Sequence, residues 1–130
     1  KIKLIKNGIL QVGYGKNKKK SINEIDNVYA YYYFIFPNIM LNFYKWGISI
    51  NIIEPIRKDK TRIKFLSYPI EGMSQPSNYA GIETIEKEDQ KIVSNVQKGI
   101  RSNFYDRGRY SVQFEKGLHH FHRLISRYLN

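Results

Sequence analysis

The stretch VYAYYYFIFP, residues 28–37, decides how the rest of this sequence is interpreted. It is dense in aromatic and β-branched side chains, which are the residue types enriched in β-strands. Pro37 has no backbone N–H, so a strand that begins at Val28 is expected to stop near Phe36. We therefore predict a buried β-strand here, and its partner strands must come from neighbouring parts of the chain.

The residues that follow contain the partner strands. The run LNFYKWGISINIIEPI, residues 41–56, is strand-like, is interrupted by Gly47 and is closed at Pro55. A polar turn, RKDKT at residues 57–61, leads into TRIKFLSYPI at residues 61–70, where the side chains alternate along the strand. Consecutive strands joined by such short links are expected to pair as an antiparallel meander.

A helix is predicted after the meander, over residues 82–97. Its apolar stripe is formed by Ile92, Val93 and Val96, which have helical spacing. Gly99 follows the stripe and is expected to end the helix as a left-handed cap.

A second amphipathic helix is predicted over residues 114–129, with a stripe made by Leu118, Phe121, Ile125 and either Tyr128 or Leu129. Strands first and helices after predict an α+β domain, in which a long C-terminal helix covers one face of a curved antiparallel sheet. At 130 residues, a single domain over residues 1–130 is expected.

The chain is strongly basic: 22 lysine and arginine residues stand against 11 acids, which gives a net charge of +11. Such a charge favours polyanions such as nucleic acid. The basic residues are nevertheless scattered, apart from a cluster at Lys16, Lys18, Lys19 and Lys20, where a loop is predicted after one short strand. A solvated loop explains this cluster better. We therefore expect no nucleic-acid partner, while a basic nucleic-acid-binding domain stays an alternative.

Cysteine is absent, which excludes disulfides, thiolate zinc sites and iron–sulfur ligation by these residues. Its absence fits a reducing compartment, and we expect a cytoplasmic protein. No apolar run approaches the roughly 20 residues that a membrane-spanning helix needs, so no membrane partner is expected.

Two adjacent acids, Glu88 and Asp89, lie in the first predicted helix and cannot share a face of it. Asp89 lies three residues before Ile92 and four before Val93, so it falls on the side of the apolar stripe, whereas Glu88 lies nearer the edge. An acid on a buried stripe needs a cation or a hydrogen-bond donor. The residues alone leave open whether Asp89 has such a role or is one charge on a solvated face.

All three histidines lie in GLHHFHRL, residues 117–124. His119 and His122 share a helical face, from which His120 points away. Two such imidazoles can chelate a metal ion, but a histidine on a helix is more often a packed residue with one satisfied hydrogen bond. The spacing alone does not decide between these alternatives.

Three motifs in order carry a resemblance to a known family: YYYFIFPNIMLNFY, EDQKIVSNVQKGIRSNFYDRGRYS and FEKGLHHFHRLISRYL. Together they resemble the C-terminal half of the catalytic domain in the large (alpha) subunit of Rieske-type non-haem iron ring-hydroxylating oxygenases. The similarity covers roughly residues 28–129 and is greatest to the branch that acts on quaternary amines such as choline, carnitine or stachydrine. The resemblance implies a helix-grip fold (START/Bet v 1-like), an antiparallel sheet packed on a long C-terminal helix.

The resemblance also implies a mononuclear Fe(II) site made of two histidines and one carboxylate, and by the family motif Asp89 is the metal ligand. In the family, both iron-binding histidines and the ligands of the [2Fe-2S] Rieske cluster come earlier in the chain than these motifs. We therefore expect a C-terminal fragment of the catalytic domain, without the N-terminal Rieske domain, inactive alone and with no cofactor bound to it.

Other site residues follow from the same resemblance. Phe36, Asn38, Tyr44 and Trp46 are candidates to line the substrate pocket, and aromatic faces there would hold a trimethylammonium group by cation–π contact. His119 and His122 are expected to pack and hydrogen-bond behind the pocket. No catalytic residue is expected beyond the metal ligand.

For the full-length protein the resemblance implies an oxygenase that activates dioxygen at Fe(II) to hydroxylate or demethylate a small organic substrate. Electrons would come from a reductase or ferredoxin, and the protein would form a homo-oligomer, commonly a trimer. Besides the nucleic-acid-binding domain, one further alternative stays open: a non-enzymatic helix-grip module that binds a hydrophobic ligand without metal.

Overall fold

The computed structural model describes residues 1–15, 27–73 and 79–129, and for residues 79–86 it describes the helical backbone only. In the first two of these ranges, six antiparallel strands form one sheet, and their order in space is their order in the sequence. The strands are β1 (Ile2–Ile5), β2 (Gly8–Tyr14), β3 (Val28–Ile35), β4 (Ile39–Tyr44), β5 (Gly47–Arg57) and β6 (Lys60–Pro69). With the helices α1 (Tyr79–Gly99) and α2 (Lys116–Leu129), the predicted α+β class is confirmed.

The meander contains more strands than the sequence predicted. Residues 41–56 do not make one interrupted strand, because Lys45 and Trp46 form a two-residue turn that pairs Tyr44 with Gly47 and separates β4 from β5. The first residues likewise form the hairpin β1–β2 rather than one short strand. The loop predicted for the lysine cluster at residues 16–20 lies outside the described residues.

Two of these hairpins begin their second strand with a glycine because the neighbouring backbone comes very close. A Cβ atom at Gly8 would lie 2.1 Å from the carbonyl oxygen of Phe34. A Cβ atom at Gly47 would lie 2.2 Å from the carbonyl oxygen of Tyr68. Real Cβ atoms do not approach an oxygen so closely, so only glycine fits at these two positions without moving the neighbouring strand.

Strand β5 does not end at Pro55 as predicted but continues to Arg57. Its pairing with β4 extends only to Ile52, so Pro55 lies where β5 has β6 as its one described strand neighbour. The register also shifts between Pro55 and Arg57. A proline is tolerated at such an irregular position because the missing N–H breaks no ladder bond.

Helix α2 packs on β1 and β2. A Cβ atom at Gly117 would be 3.5 Å from Cδ1 of Ile9, which shows how closely the helix approaches the sheet. The Phe121 ring meets the Phe34 ring edge to face at 5.1 Å, and Leu124 is fully buried. The packed face is therefore centred on Gly117, Phe121 and Leu124.

The predicted stripe of α2 is wrong in part. Leu118 and Tyr128 are exposed, whereas Phe121 and Ile125 are half-buried as members of the packed face. The physical reason is that the helix turns its smallest residue, Gly117, toward the sheet, and this fixes its rotation. The helix also begins at Lys116 rather than Phe114.

Helix α1 belongs to a separate compact unit, residues 74–109, whereas residues 1–73 and 110–130 form the other. Within α1 the side chains of Ile92, Val93 and Val96 are each more than half exposed. The single domain over residues 1–130 stays a prediction. In the part of the chain that the structure describes, no helix is long and apolar enough to cross a membrane.

The predicted left-handed cap at Gly99 is wrong. Gly99 is the last residue of α1, and the glycines with positive φ among the described residues are Gly47 and Gly72. The Ile100 N–H donates to the Val96 carbonyl at 2.9 Å, and the Ser102 N–H donates to the Gly99 carbonyl at 3.0 Å. The chain thus leaves the helix through a further right-handed turn, which needs no glycine.

Substituting two glycines by alanine should have opposite effects. We expect Gly99→Ala to raise the free energy of unfolding by up to about 1 kcal/mol, because Gly99 is helical and nothing lies within 4 Å of its added Cβ. Gly47→Ala should lower it by about 1–3 kcal/mol, because the new Cβ meets the Tyr68 carbonyl. Urea unfolding followed by circular dichroism measures both effects. If Gly99→Ala lowered the free energy of unfolding, Gly99 would have to be a left-handed cap after all.

Candidate functional site

Four aromatic rings meet on one face of the sheet, with Tyr44 at their centre. Its ring lies edge to face with Tyr32 at a centroid distance of 5.9 Å and with Tyr29 at 6.3 Å. On another side it stacks on Trp46 at 5.1 Å with an interplanar angle of 8°. We call Tyr29, Tyr32, Tyr44 and Trp46 the Tyr44 cluster.

The strand register brings Tyr32 and Tyr44 together, and Tyr29 joins them where the pairing of β3 with β2 shifts between Val28 and Ala30. Ala30 pairs with Tyr44 and Tyr32 pairs with Asn42, so Tyr32, Asn42 and Tyr44 project from the same face. Trp46 follows in the two-residue turn and folds back on Tyr44. Tyr44 and Trp46 are the two predicted pocket residues that the structure brings together.

The cluster is buried at one end and open at the other. Trp46 is 8% exposed, whereas Tyr29 is 58% exposed. Burial raises the pKa of Tyr32, a hydrogen bond with Tyr44 opposes this shift, and the nearby Tyr29 adds to it. Tyr32 therefore stays a neutral phenol at any ordinary pH, and the cluster offers π-faces and hydroxyl groups without a charge of its own.

Asn42 lies between two members of the cluster in the sheet and is 5% exposed. Its side-chain oxygen Oδ1 is buried and has no hydrogen-bond partner among the described residues. On its other side it pairs with Ser49, whose hydroxyl donates to Oδ1 of Asn51 at 3.3 Å. Sequence reasoning did not single out Asn42, although its place two residues before Tyr44 puts it on the same face of a strand.

Phe36 and Asn38 lie at the other end of the β3–β4 hairpin. The Phe36 ring stacks on Tyr128 of α2 at 4.9 Å and meets Phe121 at 6.2 Å. The Asn38 side-chain amide donates to the Ile53 carbonyl at 3.0 Å. These contacts tie the hairpin to α2 and β5. The four predicted pocket residues thus fall into two groups, separated by the length of β4, about 17 Å.

The histidines of α2 divide as their spacing predicts, with His119 and His122 on one side of the helix and His120 on another. His119 and His122 are exposed and share Tyr110 as a neighbour, whose hydroxyl group is hydrogen-bonded to Nδ1 of His122. The Tyr110 and His119 rings lie 5.0 Å apart. His120 is half-buried, and its Nε2–H donates to the Ile5 carbonyl at 2.9 Å.

His120 therefore ties α2 to β1, a structural role that sequence reasoning missed. The signal was present, because His120 lies three residues after Gly117 and four before Leu124 and so falls on the packed face. The role expected for His119 and His122 behind a pocket stays a prediction.

Asp89 lies on α1 and is exposed, as is Glu88. Within residues 1–15, 27–73 and 79–129, no three histidine, cysteine or acidic side chains come together in a way that would hold a metal ion. The described residues thus do not fit an iron site of two imidazoles and one carboxylate. The iron-ligand role of Asp89 stays a prediction.

A separate pocket of about 250 Å³ opens on the opposite face of the sheet. It is lined by aliphatic side chains, two tyrosines and the two lysines Lys1 and Lys3. Tyr31, which lines it, neighbours Tyr32 in β3 and so points away from the Tyr44 cluster. Two ammonium groups repel a cationic ligand, so this pocket and the Tyr44 cluster suit different chemistry.

Comparison with known proteins identifies the family. A family model described as ring hydroxylating alpha subunit (catalytic domain) matches residues 10–130. The chain belongs to this family. The resemblance stated from the three motifs is thereby confirmed. No solved structure matches the chain.

Several plant proteins are similar to the chain. Choline monooxygenase of Beta vulgaris, named as chloroplastic, is 31% identical over 120 residues, which are 88% of this chain and 26% of that protein. The chloroplastic choline monooxygenase of Arabidopsis thaliana is 30% identical over 101 residues, or 74% of this chain and 24% of that protein. The corresponding protein of Amaranthus tricolor is 28% identical over 127 residues, or 94% of this chain and 28% of that protein.

The chain therefore spans about a quarter of the length of these relatives. Their names also correct one expectation. The chain was expected to be cytoplasmic, but these relatives are named as chloroplastic proteins, and the cytoplasmic prediction is wrong. The absence of cysteine, on which that prediction rested, does not tell one reducing compartment from another.

Replacing histidines of α2 one at a time should separate the structural residue from its exposed neighbours. His120→Ala removes the hydrogen bond to Ile5 and half-buried packing, so we expect the free energy of unfolding to fall by about 1–2 kcal/mol. His119→Ala, at the adjacent exposed position, should change it by less than about 0.5 kcal/mol. Equal effects in a denaturant titration would contradict the assigned rotation of α2.

Proposed function

We propose that this chain is the C-terminal part of the catalytic domain of a Rieske-type non-haem iron oxygenase that oxidises a quaternary amine. The family match and the similarity to choline monooxygenases support an oxygenase. The Tyr44 cluster is the observation that carries the choice of a quaternary amine. Choline is the substrate to test first.

The cluster suits a trimethylammonium group for electrostatic reasons. The face of an aromatic ring carries negative charge density, and each ring attracts a cation by about 0.5–2 kcal/mol, depending on its desolvation. The rings of Tyr29, Tyr32 and Trp46 each contact the Tyr44 ring, so the cation would lie against the open side of the cluster near Tyr29 and not between the rings. In this proposal the cluster is one wall of the substrate site, and the remaining walls come from other parts of a longer protein.

The packing of α2 on the sheet supports the helix-grip arrangement within this proposal. The helix contacts β1 and β2 on the face that also carries Tyr32, since Ile9 and Phe34, which it touches, share that face. Tyr44 of the cluster projects from the same face, two strands away from β2. A long C-terminal helix against one face of an antiparallel sheet would leave room for a ligand beside it.

Asp89 is the proposed carboxylate ligand of Fe(II) in the longer protein. It matches the family motif, and its side chain is exposed on α1 and thus available to a cation. The two imidazoles would come from outside this chain. Because the described residues do not complete the site, the oxidation itself is assigned to the complete protein, together with its [2Fe-2S] cluster and a reductase or ferredoxin as electron donor. A plastid location and a homo-oligomer belong to the same proposal.

Replacing each of the two adjacent acids by alanine tests the proposed metal ligand. In the isolated chain, Asp89→Ala and Glu88→Ala should each change the free energy of unfolding by less than about 0.5 kcal/mol, because both side chains are exposed. In the longer protein, Asp89→Ala should abolish iron retention through gel filtration and choline-dependent oxygen uptake. Glu88→Ala, its matched control, should retain both.

The reverse result, with iron lost in Glu88→Ala and kept in Asp89→Ala, would assign the ligand to Glu88. Stoichiometric Fe(II) retained by the isolated chain would contradict the proposal that the imidazoles lie outside it.

Two tyrosines of β3 test the substrate wall. Trp46 is the only tryptophan of the chain, so its emission reports directly on the Tyr44 cluster. We expect tetramethylammonium to change this emission, and Tyr29→Leu to weaken binding by about 2- to 30-fold, as loss of one cation–π contact requires. Tyr33→Leu is the control, because Tyr33 lies on the other face of the sheet and contacts Phe43. An equal effect of both variants would contradict a site at the cluster.

A further inference from the structure

The unpartnered oxygen of Asn42 is the starting point. It belongs to a residue that is 5% exposed, and among the described residues it is the buried side-chain atom without a hydrogen-bond partner. Leaving an acceptor buried and unpaired costs free energy, so such an atom in a folded protein calls for a donor that arrives from elsewhere.

The neighbours of Asn42 in the sheet do not supply this donor. Ser49 pairs with it across the strands but donates its hydroxyl proton to Asn51. Tyr32 pairs with it on the other side and has its hydrogen bond with Tyr44. The oxygen therefore needs an O–H or N–H group that is not part of the described chain.

Asn42 also occupies a particular place relative to the Tyr44 cluster. It is directly opposite Tyr32 and two residues before Tyr44, so its side chain leaves the sheet on the same face as both rings. The aromatic surface proposed to bind a trimethylammonium group thus has a hydrogen-bond acceptor, Asn42, next to it on the same face of the sheet. This pairing fits a ligand that carries a cation and a hydroxyl group close together.

We propose that Oδ1 of Asn42 accepts a hydrogen bond from the hydroxyl group of the ligand whose trimethylammonium group lies on the Tyr44 cluster. Asn42 then selects hydroxylated quaternary amines over those without a hydroxyl group. This inference rests on the proposed function and names the specificity-determining residue of the same site. Because the oxygen is shielded from water, a neighbouring side chain must move to admit the ligand.

A pair of ligands of the same shape tests the inference on the chain itself. Choline and propyltrimethylammonium differ only in that a methyl group replaces the hydroxyl group. Titrations followed by Trp46 emission should give a dissociation constant about tenfold lower for choline, as expected for one well-placed hydrogen bond to a buried acceptor. This comparison needs no substitution in the protein.

Variants of two asparagines then assign the effect. Asn42→Leu keeps the size of the side chain and removes the acceptor, so both ligands should bind with equal affinity. The melting temperature of this ligand-free variant should be unchanged or higher, because a buried unpaired acceptor is removed. Asn103→Leu, the same substitution at an exposed position outside the sheet, is the control and should keep the preference for choline.

Each other outcome is decisive. If the wild-type chain binds the two ligands equally, a buried water is the donor to Asn42, and the inference is overturned while the quaternary-amine site stands. If choline is preferred and Asn42→Leu keeps that preference, another residue forms the hydrogen bond with the hydroxyl group, and the inference also fails. If neither ligand changes the emission, the Tyr44 cluster is not a quaternary-amine site, and that part of the proposed function fails with the inference.

Discussion

The pairing of β3 with β4 is the constraint on which the candidate site depends. With Tyr32 opposite Asn42 and Ala30 opposite Tyr44, the polar and aromatic residues of the cluster share one face of the sheet. A slip of β4 by one residue would exchange the faces, because side chains alternate along a strand. The pairings on either side are constrained by glycines, since the backbone of Gly8 closely approaches Phe34 of β3 and that of Gly47 closely approaches Tyr68 of β6.

The same alternation gives the sheet two chemically different faces. One carries the Tyr44 cluster, Asn42 and the helix α2, and the other carries the pocket with Lys1 and Lys3. A net charge of +11 works against any cationic ligand in general, since like charges repel. Uncharged π-faces, shielded from those lysines by the thickness of the sheet, are the kind of surface that still attracts an onium group.

Much of the sheet could be predicted from the sequence, because aromatic and β-branched runs separated by polar turns leave little choice of structure. The first hairpin was missed, although the dipeptide Asn7-Gly8 is typical of tight hairpins; in the structure the turn is made by Lys6 and Asn7, and Gly8 begins β2. The separation of β4 from β5 depends on a turn through Lys45 and Trp46, and neither residue is typical of a turn. Gly47 pointed to the right place but was interpreted as an interruption rather than as the first residue of a new strand.

The site was harder to predict than the fold, because its residues are defined by contacts across strands and not by spacing along the chain. Tyr44 and Trp46 could be proposed from the family resemblance, but their partners Tyr29 and Tyr32 are identified only by the ring contacts in the folded sheet. The spacing of apolar residues on α2 likewise predicted that Leu118 and Tyr128 pack against the sheet. In the structure Gly117 faces Ile9 instead, and this rotation of the helix places His120 against Ile5. Asn42 was the hardest residue to predict, since an asparagine in a strand does not by itself indicate a functional role. It becomes informative only when the structure shows that its oxygen is buried and lacks a partner on the face that carries Tyr32 and Tyr44. In that situation a folded chain depends on a ligand or a water molecule to complete its hydrogen bonding.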